Sequence, residues 1–340
     1  MTAPINPPPL EHGDRIALVA PSDPIDDERL EIARDRLRDV FDLEPVVFDT
    51  AKRDSEWLEA NPEVRAEDLM KAFEDDSIQG VMAVTGGDDQ LRILPYLDPD
   101  RITETPKRFF GYSDNDNFRL LLWNHGIVSY GAVCMPTLAV DRQIHPYTER
   151  YLRRAFFEER VGEIQPAKEW SDGWYDFDTR EPRKWHENDG WDWRGDRGVS
   201  GRLWGGCFSI LNWQLQTDRY LPASGALDGA VLALETSEDI PYAQDVGYLL
   251  RSLGERGWLQ RFSGVMVGRP RTFAPHVDRE IGFEEYRKRL HDEIAKQLDR
   301  YNPNATAVFN VDFGHTDPLV PIPIGSEVRL VPRGERIVFE

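Results

Sequence analysis

A serine that directly follows an apolar segment is the first feature of this sequence that could carry chemistry. Residues 108–112 predict a buried strand, Ser113 comes next, and residues 115–125 have the pattern of an amphipathic helix. A serine at such a turn lies at the carboxyl end of a sheet, where the N-terminus of the following helix stabilises an oxyanion beside the hydroxyl. The alternative is that Ser113 or Asp114 only caps the helix. The missing last glycine of the Gly-x-Ser-x-Gly elbow argues against a standard α/β-hydrolase esterase.

A pair of glycines supports the catalytic interpretation of this serine. Gly86 and Gly87 follow the predicted strand 80–84. Glycines allow the backbone to approach a ligand and to offer its N–H groups. The N–H of Gly86 or Gly87, together with that of Asp114, could therefore form an oxyanion hole. The alternative is an ordinary tight turn.

A serine hydroxyl needs a base, and His315 is the histidine best placed to serve as one. It follows Gly314 and the apolar strand 308–313, whereas most of the other six histidines fall in loops or on polar helix faces. A histidine on a loop at a strand end is suited to general base catalysis. The alternative is a solvated histidine with a structural role.

A carboxylate that orients the base completes the candidate set. Glu235 stands at the end of the apolar strand 230–234, where a carboxylate requires a hydrogen-bond partner. Glu238 and Asp239 fall in the following loop, so Glu235 is the preferred candidate. The alternative is a solvated loop carboxylate. The order along the chain is then serine, glutamate, histidine.

The elements that must position these residues alternate between strands and helices. Besides the strands named above, residues 264–268 predict a strand, and helices are predicted from about Gln90 and over Phe283–Tyr301. This alternation predicts an α/β fold with a mostly parallel sheet wrapped by helices. We predict an N-terminal α/β domain over residues 1–165 and a C-terminal α/β domain over residues 201–340, which ends in a β-hairpin. Residues 166–200, rich in tryptophan, charge and glycine, predict an irregular connecting segment.

Composition restricts the possible partners. The 340 residues carry a net charge of -20, and only seven of the 41 basic residues are lysine. Such a surface repels nucleic acid and anionic membranes, and it predicts activity that depends on high salt. No apolar run is long enough to span a bilayer, and the N-terminus does not resemble a signal peptide. With only two cysteines, a disulfide framework is not expected, and a cytoplasmic location fits.

Taken as an ordered set, several segments resemble the LD-carboxypeptidase family of serine peptidases, which includes the microcin C self-immunity proteins. They extend over nearly the whole chain in the order found in that family. The matching segments are Ile16–Ser22, Gly86-Gly87, Gly111–Asp114, Gly205-Gly206, Leu234-Glu235 and Gly314-His315.

This resemblance implies a Ser113–His315–Glu235 triad that needs neither a metal nor an organic cofactor. It also implies a flavodoxin-like N-terminal domain that carries the nucleophile and a mixed α/β C-terminal domain that carries the glutamate and histidine. The site would lie in the cleft between the two domains. Members of the family are typically homodimers, so a homodimer is expected here.

The resemblance leaves two substrate classes, a murein tetrapeptide and an aminoacyl-nucleotide of the microcin C type. The second is preferred because the chain is long in the tryptophan-rich segment, where Trp185, Trp191 or Trp193 could stack on a base. The alternative is that these tryptophans pack the domain junction. Arg269 and Arg271 could bind a carboxylate or phosphate, or lie on the surface. A different class of function, a non-catalytic protein that binds a small ligand, also remains open.

Overall fold

The computed structural model describes residues 4–131, 133–278 and 282–340. The chain forms two compact units. The N-terminal unit contains residues 4–161 together with Val320–Gly325, and the C-terminal unit contains Gly162–Leu319 and Ser326–Glu340. Residues 166–200, for which the sequence predicts a connecting segment, fall within the C-terminal unit in this division.

Strands and helices follow one another along the whole described chain. The first half contains strands β1 (Arg15–Val19), β2 (Glu44–Val47), β3 (Gly80–Ala83), β4 (Arg108–Phe110) and β5 (Ser129–Tyr130), and helices α1 (Asp27–Phe41), α2 (Ser55–Ala60), α3 (Pro62–Glu74), α4 (Pro99–Glu104), α5 (Asp116–Asn124), α6 (Met135–Ala139) and α7 (Pro146–Phe157). Next come strands β6 (Gly162–Ile164), β7 (Glu169–Trp170), β8 (His186–Glu187), β9 (Asp192–Arg194) and β10 (Val199–Cys207), and helix α8 (Phe208–Thr217). The chain continues with β11 (Val231–Glu235), α9 (Ala243–Glu255), β12 (Gly264–Gly268), α10 (Phe283–Tyr301), β13 (Thr306–Val311), β14 (Pro323–Ile324), β15 (Glu327–Val331) and β16 (Arg336–Phe339).

The N-terminal unit is built on a six-stranded sheet in the order β14-β5-β4-β3-β1-β2. Strands β1 to β5 pair in parallel, and β14 is antiparallel to β5. The central strands are buried along almost their whole length, as expected when helices cover both faces of a parallel sheet. Because these strands run in the same direction, the loops after β1, β3 and β4 lie at the same edge of the sheet. The predicted parallel α/β architecture is confirmed.

Helix α1 illustrates how the local sequence specifies an element of this unit. Asp26 caps the helix by accepting a hydrogen bond from the N–H of Arg29, and acidic residues occupy the first turn. Apolar residues recur at helical spacing, and Leu30, Ala33 and Leu37 on that face are buried. The helix therefore packs its apolar side inward, as its spacing predicts.

The C-terminal unit contains an eight-stranded mixed sheet in the order β6-β16-β15-β10-β11-β12-β13-β9. Its centre, β10 to β13, is parallel, and antiparallel strands complete both sides. The predicted terminal hairpin is confirmed as β15 and β16. Glu235 is the last residue of β11, and His315 lies four positions after the end of β13. Both therefore lie near the carboxyl edge of the parallel strands.

Two local expectations were wrong. Residues 160–200 are not irregular throughout, because β9 joins the large sheet beside β13 and β7 pairs with β8. The helix expected from about Gln90 is instead two short 3-10 turns, Gln90–Arg92 and Leu94–Tyr96. Pro95 lies in the second of these turns, and a proline cannot donate the backbone hydrogen bond that an α-helix would require there. In the described part of the chain, no helix has the length and apolar character needed to cross a bilayer.

Candidate active site

Ser113 occupies a strained turn at the end of β4. It begins a single 3-10 turn, Ser113–Asn115, that leads directly into α5. Its φ of 62° lies in the left-handed region, which residues other than glycine rarely adopt. Backbone strain of this kind occurs at functional sites, including the sharp strand-to-helix turns that carry nucleophilic serines. The predicted elbow is therefore present, with an unusual backbone at the serine itself.

The Gly86-Gly87 turn passes directly beside this serine. A Cβ atom on Gly86 would lie 2.9 Å from Ser113 Cβ and 3.2 Å from Ser113 Oγ. The same hypothetical atom would be 3.6 Å from the backbone nitrogen of Asp114. Only a residue without a side chain fits this approach. The residues predicted to form an oxyanion hole are thus neighbours at the edge of the sheet.

The Asp114 side chain anchors this elbow, a function that sequence reasoning missed. Its carboxylate is fully buried and accepts hydrogen bonds from the Ser22 hydroxyl, the Gln90 N–H at 2.7 Å and the Asn117 amide at 2.8 Å. These donors come from the loop after β1, the loop after β3 and α5. Burial raises the pKa of Asp114 to about 6, against the opposing effect of the hydrogen bonds. One carboxylate therefore ties three segments together beneath Ser113.

In the C-terminal unit, Glu235 and His315 form a buried pair. The Nδ1 of His315 lies 2.7 Å from Glu235 Oε2, and the two side chains are only 6% and 4% exposed. Gly314 has a φ of 105°, and a Cβ on it would lie 2.7 Å from Glu235 Oε2. A glycine is therefore required where the histidine loop crosses the carboxylate. This geometry fixes the ring and leaves Nε2 as the nitrogen that could exchange a proton with a nucleophile.

A second carboxylate also reaches the ring. Glu238 Oε2 lies 3.2 Å from His315 Nε2, although the sequence favoured Glu235 and set Glu238 aside. Burial lowers the pKa of His315, but the attraction of Glu235 and Glu238 and the hydrogen bond to Glu235 outweigh it and raise the pKa to about 9. Burial acts to raise the pKa of Glu238, but the charges of His315, Arg271 and His276 and a backbone hydrogen bond together outweigh it, so this pKa is lowered. The imidazolium form is therefore favoured at neutral pH.

Arg271 supports the histidine loop from behind. Its guanidinium donates to the backbone carbonyls of His315 at 2.9 Å, Asp172 at 2.7 Å and Phe273 at 2.7 Å. The Asp172 carboxylate accepts from the Thr272 hydroxyl at 2.6 Å. The side chain predicted as a possible anion ligand is thus engaged with backbone oxygens, and it fixes the position of His315.

Arg269 is buried, and it is bound to the strand that precedes the histidine loop. Its Nη2 donates to Asp312 Oδ1 at 2.9 Å and to the carbonyl of Asn310 at 3.1 Å. Asp312 Oδ2 accepts from the indole N–H of Trp191 at 3.1 Å. Trp191 is only 9% exposed, and it packs within this unit against the segment that precedes the histidine loop.

Two sequence profiles match the chain. The LD-carboxypeptidase N-terminal domain covers residues 16–132, and the LD-carboxypeptidase C-terminal domain covers residues 200–330. The chain belongs to the LD-carboxypeptidase family. The predicted resemblance is thereby confirmed, and the first profile includes both Gly86 and Ser113, while the second includes Glu235 and His315.

Relatives of this chain match along almost their whole length. A Bacillus subtilis (strain 168) protein named "Putative carboxypeptidase YocD" is 26% identical over 94% of both chains. Another from the same organism, named "Probable murein peptide carboxypeptidase", is 25% identical over 97% of this chain and 93% of the relative. A solved structure of an MccF-like protein from Streptococcus pneumoniae in complex with AMP is 27% identical, with a TM-score of 0.84, and the match covers 96% of this chain and 99% of that one. By family, the chain is therefore a serine peptidase of the carboxypeptidase type.

The C-terminal unit contains a cavity of about 670 Å³ near the end of β12. Its walls include Trp170, His186, Arg269, Phe283 and Arg287. The Trp170 ring lies between His186, with ring centroids 4.7 Å apart, and Phe283 at 4.1 Å. The Arg269 guanidinium is 5.5 Å from the centre of the Trp170 ring. Aromatic and arginine side chains thus share one concave surface with five carboxylates, a combination that sequence reasoning did not find; the acidic residues are Asp172, Glu187, Asp189, Glu284 and Glu285.

The tryptophans predicted to contact substrate lie elsewhere among the described residues. Trp185 is half-buried, with the Arg183 guanidinium 5.5 Å from its ring centre. Trp193 belongs to β9, opposite Val308 of β13. Neither lines the cavity, which has Trp170 in its wall instead. Base stacking by Trp185, Trp191 or Trp193 stays a prediction.

The structure brings the predicted site residues together as two groups. Gly86, Gly87, Ser113 and Asp114 meet in the N-terminal unit, and Glu235 and His315 meet in the C-terminal unit. Each group lies on loops that follow parallel strands.

Proposed function

We propose that Ser113, His315 and Glu235 act as one catalytic triad that hydrolyses an amide bond in a small peptide or an aminoacyl-nucleotide. The observation that carries the proposal is the buried Glu235–His315 pair, in a serine peptidase whose Ser113 stands on a strained elbow. A carboxylate bound to Nδ1 selects the tautomer whose Nε2 can accept a proton. Structural histidines rarely need both a buried carboxylate and a glycine that admits it.

In the proposed reaction, Ser113 Oγ attacks the scissile carbonyl carbon while His315 Nε2 takes the hydroxyl proton. The N–H of Gly86 or Gly87, with that of Asp114, stabilises the oxyanion of the tetrahedral intermediate. The carbon–nitrogen bond then breaks, and the imidazolium gives its proton to the leaving amine. Water attacks the resulting ester of Ser113 with His315 again as base, which releases the carboxylic acid and restores the serine.

The cavity in the C-terminal unit supports an aminoacyl-nucleotide as substrate. Its volume of about 670 Å³ is that of a small-molecule site, and its aromatic wall suits a base. Five carboxylates also line it, and its two arginines are paired with carboxylates, so the wall suits the hydroxyl and amino groups of such a substrate better than a phosphate. The Nε of Arg269 is buried and makes no hydrogen bond within the described part of the chain. The solved relative from Streptococcus pneumoniae binds AMP, which is consistent with this choice.

A murein tetrapeptide is the second candidate. A relative that matches almost the full chain is named as a murein peptide carboxypeptidase, and the same triad would cleave the bond to its terminal D-amino acid. In addition, we propose a cytoplasmic homodimer, since this is what the family resemblance and the absence of a disulfide framework predict.

The test is mass spectrometry of products from both candidates, a murein tetrapeptide and an aminoacyl-adenylate analogue with a hydrolysable amide. Ser113→Ala should abolish cleavage, with a loss of about 10⁴-fold or more in kcat/KM. Ser77→Ala is the matched control, because Ser77 lies in the same unit, on an exposed turn where its hydroxyl accepts a hydrogen bond from Arg15. It should cleave at the wild-type rate.

The outcomes separate the candidate functions. Cleavage of only one compound identifies the substrate class. Turnover that survives in Ser113→Ala would refute the serine mechanism. Tight binding of either compound by both wild type and Ser113→Ala, with no product from either protein, would instead indicate a binding protein.

A further inference from the structure

Glu238, whose carboxylate is the second one to contact His315, is not a member of the triad proposed above. Glu238 belongs to the loop after β11, and its Oε2 lies 3.2 Å from His315 Nε2. Glu235 holds the opposite nitrogen, Nδ1, at 2.7 Å. The imidazole is therefore bracketed by two carboxylates, one on each nitrogen.

The nitrogen next to Glu238 is the one that general base catalysis requires. Because Nδ1 donates its proton to Glu235, only Nε2 can accept a proton from a serine hydroxyl. A carboxylate close to Nε2 stabilises a proton there, so the ring is held as an imidazolium. An imidazolium has no lone pair with which to deprotonate a nucleophile.

The two carboxylates differ in how firmly they are held. Glu235 is the last residue of a buried strand and is 4% exposed, whereas the Glu238 side chain is 38% exposed and lies on a loop. Glu238 Oε2 itself is buried against the ring, but it lacks hydrogen-bond geometry with any described group, and the exposed part is the rest of the side chain. Its contact with the ring is thus an ion pair whose geometry is not fixed by a directional hydrogen bond. Rotation of the Glu238 side chain toward solvent could release Nε2 while Glu235 continues to hold Nδ1.

We propose, building on the function proposed above, that Glu238 is a positioning residue that occupies Nε2 of His315 in the resting enzyme and must withdraw before Ser113 can be deprotonated. Glu238 acts only through the histidine, whose Nε2 it contacts in the resting state, and it takes no part in the bonds that form and break at the substrate. Its withdrawal converts the imidazolium into a base. The resting site is therefore closed to catalysis at neutral pH until this contact opens.

The other charges around the ring determine how strongly Glu238 affects the pKa of His315. Glu235 and Glu238 favour the imidazolium, while Arg271, from the loop after β12, opposes it. Glu238 itself is attracted by His315, Arg271 and His276. When Glu238 is neutralised, Glu235 and Arg271 remain, so the pKa of His315 should fall from its raised value.

The experiment compares Glu238→Gln with Asp239→Asn. Both changes remove one negative charge from adjacent residues of the same loop, but Asp239 lies near His276, at 3.8 Å, and contributes no contact to the ring. The pKa of His315 is measured by NMR in isotope-labelled protein, with His315→Gln to assign its signal. In parallel, the pH dependence of kcat/KM is recorded with whichever compound the enzyme cleaves.

Glu238→Gln should lower the pKa of His315 by about 1 to 3 units, the effect of removing an adjacent opposite charge. The acid limb of kcat/KM should move by the same amount. From a pKa of about 9, kcat/KM at pH 7 should rise about tenfold for a shift of 1 unit and about 90-fold for a shift of 3 units, because the ring is then mostly neutral. Glu238→Asp, which keeps the charge on a shorter side chain, should shift both in the same direction by less. Asp239→Asn should leave both unchanged.

An unaltered NMR pKa in Glu238→Gln, or a shift as large in Asp239→Asn, would overturn the proposal. So would a pH profile that stays at its wild-type position while the NMR pKa moves, because Glu238 would then not control the base. The NMR measurement needs no turnover, so it remains decisive even if the wild-type protein hydrolyses neither compound.

Discussion

The close approach of Gly86 to Ser113 makes Gly86→Ala a sharp test of the nucleophile. The added methyl carbon would lie 2.9 Å from Ser113 Cβ and 3.2 Å from Ser113 Oγ. The two carbons need about 3.5 to 4.0 Å, so one side must move by about 0.6 to 1.1 Å. Ser113 already has a strained backbone, and the next residue, Asp114, is held in place by the hydrogen bonds of its carboxylate. We therefore expect the serine hydroxyl to lose its alignment.

The size of the effect follows from that displacement. A shift of about 1 Å in a reacting group can cost 10²-fold in rate. We expect kcat/KM to fall by about 30- to 100-fold, or about 2 to 3 kcal/mol of transition-state stabilisation. Crowding of this kind typically also lowers the free energy of unfolding by about 1 to 3 kcal/mol. The N–H of residue 86 remains, so a contribution of that group to an oxyanion hole is not removed.

Two assays report on the hydroxyl independently. One is kcat/KM for amide hydrolysis, and the other is the rate at which a fluorophosphonate labels Ser113, which does not depend on the natural substrate. Gly225→Ala is the control, because a Cβ there meets nothing within 4 Å and the backbone is not in the left-handed region. It should match wild type in both assays. A folded Gly86→Ala protein with wild-type hydrolysis and labelling rates would refute the assignment of Ser113 as nucleophile.

Four further predictions follow from the two buried carboxylates and the surface charge. Glu235→Gln should reduce kcat/KM by about 10⁴-fold in steady-state kinetics, because an amide can stabilise the wrong tautomer of His315. Asp114→Ala should lower the free energy of unfolding in urea by about 3 kcal/mol, since three donors to a buried carboxylate lose their partner. The raised pKa of His315 makes the pair with Glu235 and Glu238 stabilising below pH 6.5, and about 3 kcal/mol should be lost as pH rises through about 9. Urea titrations at pH 6 and pH 10 should show this loss in wild type but not in His315→Gln. The net charge of -20 predicts a melting temperature that rises between 0.1 and 2 M KCl.

Much of the fold was predictable because its strands are continuous apolar runs. Residues 80–84 and 264–268 read as strands without any tertiary information, and both lie in the parallel centres of their sheets. The helix over Phe283–Tyr301 was predicted to the residue, since its apolar positions recur at helical spacing. Serine, glutamate and histidine each follow such a strand, which is why the candidate set could be named from the sequence.

The segment 166–200 was not predictable for the opposite reason. Strands β7, β8 and β9 are two or three residues long, which is too short to show the alternation of apolar and polar residues that indicates a strand. Strand β9 exists because it pairs with β13, which is more than 100 residues away in the chain. The stacking of Trp170 between His186 and Phe283 depends on the same distant contacts. In this region, tertiary structure selects the local conformation.

The contact between Glu238 and His315 was missed because the sequence around a charged loop residue does not indicate which residue its side chain contacts. Three carboxylates, Glu235, Glu238 and Asp239, occur within five residues, and only the first ends a buried strand. Burial favoured Glu235, which lies 2.7 Å from His315 Nδ1. Burial gave no indication that the Glu238 side chain, from the following loop, lies beside Nε2 of His315.

The two buried carboxylates must have different functions, because their partners differ. Asp114 accepts from a hydroxyl, a backbone N–H and an amide, and none of these donors is a base. It can fix where the elbow lies, but it cannot direct a proton, and burial among neutral donors raises its own pKa. Glu235 touches the one group that titrates, so it determines which nitrogen of His315 carries the proton. Loss of Asp114 should therefore act through stability and the geometry of Ser113, while loss of Glu235 should act on catalysis and leave the elbow in place.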